Sequence, residues 1–121
     1  MANYMLAHPA LPGLFHALGD STRCAVVSQL VHGPESVSAL KEPFGMALPS
    51  FMKHLAVLER TGVVRSVKTG RVRKYELVPG ALSPAEKWLA EQREQWESRS
   101  DRMAAFAEQI AQEATNVEPN E

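Results

Sequence analysis

The 121-residue chain contains little cysteine, few aromatic residues and no long apolar run. Its one cysteine, Cys24, excludes an intrachain disulfide and is typical of proteins from a reducing compartment. No apolar stretch approaches the roughly 18 residues that a membrane-spanning helix needs. The N-terminus also lacks the charged-then-apolar order of a signal peptide. We therefore expect a cytoplasmic protein that has no membrane partner.

The motifs of common enzymes and metal sites are missing as well. The sequence has no glycine-rich phosphate loop and no cysteine–histidine pair at a spacing suited to a nucleophile. Its four histidines lack ligand spacing, and one thiol cannot supply the several sulfurs that soft metals need. We therefore predict that the chain is not an enzyme, and that it holds no metal site and no cofactor.

The charge of the chain is unevenly distributed, although its net value is only −1. Residues 1–82 hold nine Lys/Arg and five Asp/Glu, whereas residues 83–121 hold four and nine. Within residues 53–74, seven basic residues stand against one acidic residue. A basic run is often just a solvated surface, so whether this one binds DNA depends on the helices and strands that carry it.

Residues 36–77 have the order of a winged helix-turn-helix, in which two short helices and a turn precede a basic hairpin. The spacing predicts a first helix over 36–43, capped by Ser36, and a second helix over 48–60 that ends at Gly62. A hairpin is predicted over 63–77 with its tip at Thr69-Gly70-Arg71. The basic run therefore coincides with a DNA-binding pattern.

Helices are also predicted on both sides of this unit, over 11–18, from Asp20 to about Val31, and from Ser83 to about Gln112. Ser83, Pro84 and Glu86 form the clearest helix start in the chain. The predicted fold is mainly α with a small β-hairpin (α+β), a winged helix-turn-helix with a long C-terminal dimerisation helix. Its predicted parts are a flexible arm (1–10), a winged DNA-binding domain (11–82), the dimerisation helix (83–114) and a disordered tail (115–121).

The last helix carries an apolar seam whose members recur at alternating spacings of three and four residues. A helix of about 30 residues spans about 45 Å, more than an 80-residue winged domain can cover. Some of the seam packs on the chain's own core, and the rest predicts a homodimer in which the seam meets itself across a two-fold axis. The predicted interface comprises Leu14, Phe15, Trp88, Leu89, Trp96, Met103, Phe106 and Ile110.

A helical wheel of residues 48–60 separates a core side from a groove side. Phe51, Leu55 and Leu58 fall on the core side, with Leu48 and His54 at its margins. The opposite side, together with the tip of the hairpin, is predicted to contact DNA grooves and phosphates. The candidate DNA-binding residues are Ser36, Pro49, Ser50, Met52, Lys53, His54, Lys68, Arg71 and Arg73.

Four segments resemble the ArsR/SmtB-type bacterial transcription regulators, over about residues 11–110. They are LFHALGDSTR (14–23), FGM with KHLAVLERTGVV (44–46, 53–64), GRVRKYEL (70–77) and EQWE…DR (94–97, 101–102). The resemblance implies a dimeric winged-helix protein that binds a double-stranded DNA operator, usually as a repressor. It also implies that His54 either contacts a phosphate or supports the recognition helix.

The chain departs from this family pattern at several positions. Metal-sensing members carry a Cys-x-Cys pair near the first helix of the motif, or His and acidic ligands on the last helix. Here residues 36–43 contain no cysteine and no histidine follows His54, which suggests the branch without metal-binding cysteines. The family commonly has serine in place of Ala47 and Met52. Because alanine cannot cap a helix, we hypothesise that a DNA phosphate occupies the N-terminus of the recognition helix.

The control of the protein and two rival functions stay open from the sequence alone. Cys24 is a candidate redox residue, although a partly buried, small apolar side chain is the favoured interpretation. An unknown small-molecule effector near the tryptophans and regulation by concentration alone are both compatible with the residues. The alternatives to a sequence-specific repressor are a winged-helix protein-interaction module and a non-specific architectural DNA-binding protein.

Overall fold

A computed structural model describes residues 10–116 of the chain. The chain divides between Ala85 and Glu86 into two units. Of the predicted flexible arm (1–10) and disordered tail (115–121), only residues 10, 115 and 116 are described. Residues 115 and 116 are helical. The elements in chain order are α1 (Leu11–Leu18), α2 (Ser21–Leu30), β1 (Glu35–Ser36), α3 (Val37–Lys41), α4 (Leu48–Arg60), β2 (Val64–Thr69), β3 (Val72–Leu77) and α5 (Ser83–Asn116).

The helices of the first unit begin and end close to the predicted positions. Both α1 and α4 have the predicted bounds, while α3 is shorter than predicted and ends at Lys41. The side chain of Ser36 caps α3 and accepts a hydrogen bond from the N–H of Ala39 at 3.2 Å. Gly62 follows α4 with a φ of +79°, a backbone conformation that favours glycine. Local start and stop signals therefore determine most of these boundaries.

The core of the first unit is built from these helices and the sheet. Phe51, Leu55 and Leu58 of α4 are fully buried, as predicted, and the ring of Phe51 stacks on Phe44 at 5.7 Å. Leu48 is 51% exposed, so its placement at the core margin was wrong. Helical side chains lean toward the N-terminus, so the first residue of α4 leans past the end of its own helix. Among the described residues, fourteen apolar ones are buried: Leu11, Leu14, Ala17, Val26, Val27, Leu30, Leu40, Phe51, Leu55, Leu58, Val63, Val64, Tyr75 and Ala85.

The sheet has three antiparallel strands in the order β1-β3-β2, one strand more than the sequence predicted. The loop between β2 and β3 is Gly70-Arg71, and Gly70 has a φ of +65°. A positive φ at only the first loop residue fits a type II′ hairpin turn. In the additional pairing, Glu35 lies opposite Tyr75 and Ser36 opposite Lys74. Ser36, which caps α3, is therefore also paired with strand β3 of the hairpin.

Asp20 caps α2, and its contacts predict a pH-dependent contribution to stability. Its carboxylate accepts a hydrogen bond from the backbone N–H of Arg23 at 3.0 Å. This bond, aided by the nearby His54 and Arg23 and opposed by desolvation, lowers the pKa of Asp20 below its usual value. A carboxyl whose pKa is lowered by folding stabilises the native state above the pKa of the unfolded chain, and this contribution disappears as the pH falls.

We therefore expect Asp20→Ala to lower the free energy of unfolding by about 1 kcal/mol at neutral pH. The difference from the wild type should shrink as the pH falls below about 4, where the carboxyl of the unfolded chain becomes protonated, and should vanish at the lower pH at which the folded carboxyl is protonated too. Urea unfolding at several pH values measures both effects. Asp20→Asn is the matched control, since asparagine still caps a helix but does not titrate. A loss that is the same at pH 3 and pH 7 would contradict the assignment.

The second unit consists of α5 from Glu86 onward. The helix runs to Asn116, two residues beyond the predicted end, and every residue from Arg93 to Asn116 is exposed. The predicted seam is apolar and uncovered, since Leu89, Trp96, Met103, Phe106 and Ile110 are each more than half exposed. Between residues 10 and 116, no helix has both the length and the apolar character needed to cross a membrane.

Candidate nucleic-acid interface

The exposed side of α4 carries the residues that the helical wheel assigned to the groove. Pro49, Ser50 and Lys53 are exposed, and Met52 is half-buried beside them. Ala56 and Arg60 continue the same exposed side toward the end of the helix. Because Phe51, Leu55 and Leu58 anchor the opposite side in the core, these side chains are held on a rigid element. The arrangement fits a helix that enters a major groove.

The N-terminus of α4 lacks a side-chain cap. Ala47 occupies the cap position and makes no side-chain hydrogen bond, and Pro49 in the first turn has no N–H to satisfy. The backbone N–H of Ser50 is therefore the group that a capping oxygen would serve, as an N-cap side chain bonds the second or third helical N–H. An exposed helix start with such donors is also suited to a phosphate oxygen.

We expect Ala47→Ser to raise the free energy of unfolding of the free protein by about 1 kcal/mol, because serine supplies the missing cap. Thermal and urea unfolding of the purified variant measure the gain. Ala104→Ser, an exposed substitution inside α5, is the control and should be neutral or destabilise by about 0.5 kcal/mol. A melting temperature that does not rise in Ala47→Ser would contradict the idea that this helix end is left open for an anion.

The hairpin presents two cations on the face that it shares with the core. Lys68 lies opposite Arg73, two positions along from the pair formed by Ser66 and buried Tyr75. Side chains two residues apart on a strand share a face, so Lys68 and Arg73 extend this face toward the tip, where both are exposed. Like charges directly opposite each other destabilise a hairpin. A phosphate between or beside them would relieve that repulsion.

Ion pairing separates the free cations of the hairpin from the engaged ones. Arg65 donates to Glu76 across the strands at 2.9 Å, and Arg73 donates from Nη1 to the Ser66 hydroxyl at 3.2 Å. Because Ser66 is neutral, Arg73 shares with Lys68, Arg71 and Lys74 the absence of an ion-pair partner within residues 10–116. Burial, aided by Glu59, raises the pKa of Tyr75, so the phenol below them stays neutral. The unpaired positive charge is therefore concentrated toward the tip of the hairpin.

A polar cluster behind α4 was not anticipated from the sequence. The guanidinium of Arg23 donates to the carbonyl oxygens of Ala17 and His16 at 2.6 and 3.1 Å, and its Nη1 lies 3.1 Å from Nδ1 of His54. A carboxylate oxygen of Asp20 lies 3.5 Å from the same ring nitrogen. The sequence placed Arg23 in a family motif and in a helix that starts at Asp20, but residue spacing alone does not reveal a contact between distant elements.

Three other predicted residues are placed differently from the expectation. Cys24 is exposed rather than partly buried, since it lies off the side of α2 that buries Val26, Val27 and Leu30, and its thiol donates to the carbonyl of Leu18 at 2.7 Å. Ser36 is half-buried and its hydroxyl oxygen already caps α3. Leu14 is 5% exposed in the single chain, so little of its surface is left for a partner. Phe15 and Trp88 are half-buried.

Comparison with known proteins gives a consistent picture. Residues 18–67 match a family described as a helix-turn-helix domain. The HTH-type transcriptional regulator Rv2034 of Mycobacterium tuberculosis is 36% identical over 69 residues, which cover 57% of this chain and 64% of that regulator, slightly less than two thirds. The crystal structure of an ArsR family transcriptional regulator is 51% identical, with 74% of this chain and 93% of that chain covered and a TM-score of 0.69.

A more distant structure shows the same fold. It is the solution structure of a homodimeric winged helix-turn-helix DNA-binding domain from Mycobacterium bovis, 20% identical, with 74% of this chain and 85% of that chain covered and a TM-score of 0.58. The predicted fold class, mainly α with a small sheet in a winged helix-turn-helix, is thereby confirmed. These relatives are described as regulators or as a DNA-binding domain, which agrees with the prediction that the chain is not an enzyme.

Proposed function

This chain belongs to the ArsR family of transcriptional regulators, and on that premise we propose that it is a homodimeric repressor. Each subunit would place α4 in a major groove of an inverted-repeat operator and the hairpin beside it on the adjacent backbone. The observation that carries the proposal is the exposed side of α4, with Lys53 at its centre, followed by a hairpin whose free cations gather at the tip.

Each proposed contact follows from the chemistry and exposure of the side chain. Lys53 can donate to a guanine edge or a phosphate, and Ser50 to a base or a backbone oxygen. Pro49 and Met52 offer apolar contact to thymine methyl groups. Arg71 at the hairpin tip suits a narrow, negative groove, with Lys68 and Arg73 on phosphates. We propose that this set works without a metal, because the Cys-x-Cys pair and the last-helix histidines of the family's metal sensors are absent from the sequence.

The proposed dimer rests on the uncovered seam of α5. Trp96 and Phe106 are 67% and 63% exposed in the single chain, an unfavourable arrangement for large aromatic side chains in water. A two-fold contact between two copies of the seam would bury these residues together. The homodimeric state described for the Mycobacterium bovis domain is in keeping with such a contact. A two-fold dimer in turn requires an operator with two-fold symmetry.

A selection from random DNA duplexes tests the proposal directly. The purified protein, with Cys24 reduced, is incubated with the pool at near-physiological salt, and bound sequences are enriched over several rounds. We expect one inverted repeat whose half-sites are separated by about one helical turn or a multiple of it. The affinity for this repeat should also fall steeply with salt, since phosphate contacts release counterions.

The other outcomes identify the alternative functions. Salt-sensitive binding without an enriched motif would indicate an architectural DNA-binding protein. Failure to bind any duplex would favour a protein-interaction module that uses the winged fold for another purpose. An enriched repeat also supplies the probe with which to test reversal of binding by candidate small molecules.

A further inference from the structure

We propose that His54 serves DNA binding through its Nδ1 atom, as a positioning residue held by Arg23, and not through a phosphate contact from Nε2. The inference rests on the proposed function and answers a question that the family resemblance leaves open. The histidine side chain is 23% exposed and therefore largely covered, whereas the neighbouring Lys53 is exposed.

Two of the three guanidinium nitrogens of Arg23 are held by α1. Its Nε and Nη2 donate to two carbonyl oxygens of α1, at Ala17 and His16. These carbonyls lie in the last turn of α1, where the helix dipole favours a cation. The carbonyl of His16 also accepts the cap hydrogen bond from the N–H of Gly19 at 3.2 Å. The backbone N–H of the same residue is held by the cap residue Asp20. Only Nη1 extends to α4.

The chemistry of this contact determines the state of the histidine ring. Arginine has no acceptor, so Nδ1 of His54 must accept the hydrogen bond from Nη1 at 3.1 Å. An accepting nitrogen carries no proton, which leaves the proton of the neutral ring on Nε2. Asp20 lies 3.5 Å from Nδ1, but two acceptors cannot share a hydrogen bond, so Asp20 donates no proton to this nitrogen and Arg23 holds it.

The contact matters for DNA because of where His54 lies on α4. It directly follows Lys53 and comes four residues, about one helical turn, after Ser50. The link to Arg23 connects this point of the recognition helix to the end of α1 and the start of α2. It therefore opposes rotation and sliding of α4, and loss of positioning lowers affinity even where every DNA-contacting side chain is intact.

Two amide substitutions separate the two ring nitrogens. In His54→Asn the short carboxamide places its oxygen near the position of Nδ1, whereas in His54→Gln the amide reaches the position of Nε2. We expect His54→Asn to bind the selected operator within about threefold of wild type, and His54→Gln and His54→Leu to weaken binding by about tenfold. Arg23→Ala should weaken it similarly, and adding His54→Gln to Arg23→Ala should cause no further loss.

Two additional readouts distinguish positioning from a phosphate contact or misfolding. The slope of log Kd against log salt should be unchanged in all His54 variants, because only the loss of a phosphate contact from a protonated, cationic ring would reduce it by about one. In the free protein, ¹⁵N NMR should show His54 with the proton on Nε2, and this preference should weaken in Arg23→Ala. Circular dichroism establishes the folded fraction of each variant, and His32→Gln, at an exposed histidine, is the control.

The outcomes are distinct. Binding retained by His54→Gln and lost by His54→Asn, with a reduced salt slope, overturns the inference in favour of a phosphate contact. Equal affinities or equal losses in all three His54 variants also overturn it. Wild-type protein that binds no duplex overturns the proposed function and this inference together, whereas wild-type binding with the reversed amide pattern overturns the inference alone.

Discussion

The double variant Met103→Glu, Phe106→Glu is expected to be monomeric at concentrations where the wild type forms the proposed dimer. Both residues lie on the exposed seam of α5, at 62% and 63% exposure, and a dimer would bury the new carboxylates against apolar side chains. Burial of an unpaired charge is strongly unfavourable. Glutamate is a good helix former, so α5 itself should persist. Sedimentation velocity and circular dichroism measure the two properties separately.

The same variant should lose about a hundredfold in affinity for the inverted repeat, because a second half-site then no longer adds to binding. Its affinity for a single half-site should match that of the wild-type subunit. Ala105→Glu is the control, since it adds a carboxylate to the same helical turn but away from the seam. A double variant that remains dimeric would show that the subunits associate through another surface.

Helix ends were the most predictable part of the fold. The bounds of α1 and α4 agree with those expected because each carries a local signal, a proline in the first turn and, after α4, a glycine at positive φ. The fully buried residues of α4 follow from its period of 3.6 residues in the same way. Such features depend on a few neighbouring residues, which is why a single sequence suffices to find them.

Features that depend on distant residues could not be obtained in this way. Strand β1 has only two residues after Gly33-Pro34, too few to show an alternating pattern, and it exists because β3 offers a free edge. The contact of Arg23 with His54 joins residues 31 positions apart. The sequence showed a cluster of basic residues, but the strand register decides that Arg65 is paired with Glu76 while Lys68 and Arg71 are not.

Lys53→Ala is expected to weaken binding to the selected operator far more than binding to unrelated duplexes. The side chain is exposed on the groove side of α4, without an ion-pair partner among the described residues, and is therefore available to a base edge. A good base contact is worth about 1–3 kcal/mol of discrimination, which corresponds to a loss of roughly 5- to 150-fold. Fluorescence anisotropy with operator and scrambled duplexes measures both affinities.

Arg71→Ala should behave in the opposite manner, and the contrast between the two variants tests the assignment of roles. Arg71 lies in the two-residue loop at the hairpin tip, where its charge can neutralise the backbone of any sequence. We expect affinity to fall alike for operator and scrambled duplexes, and the salt slope to decrease by about one. Lys87→Ala, at an exposed cation of α5, is the control for a simple loss of charge. A loss in Arg71→Ala that is confined to one operator position would show that the hairpin contacts bases. Equal weakening of all duplexes by Lys53→Ala would show that Lys53 contacts a phosphate and that specificity comes from other residues of α4.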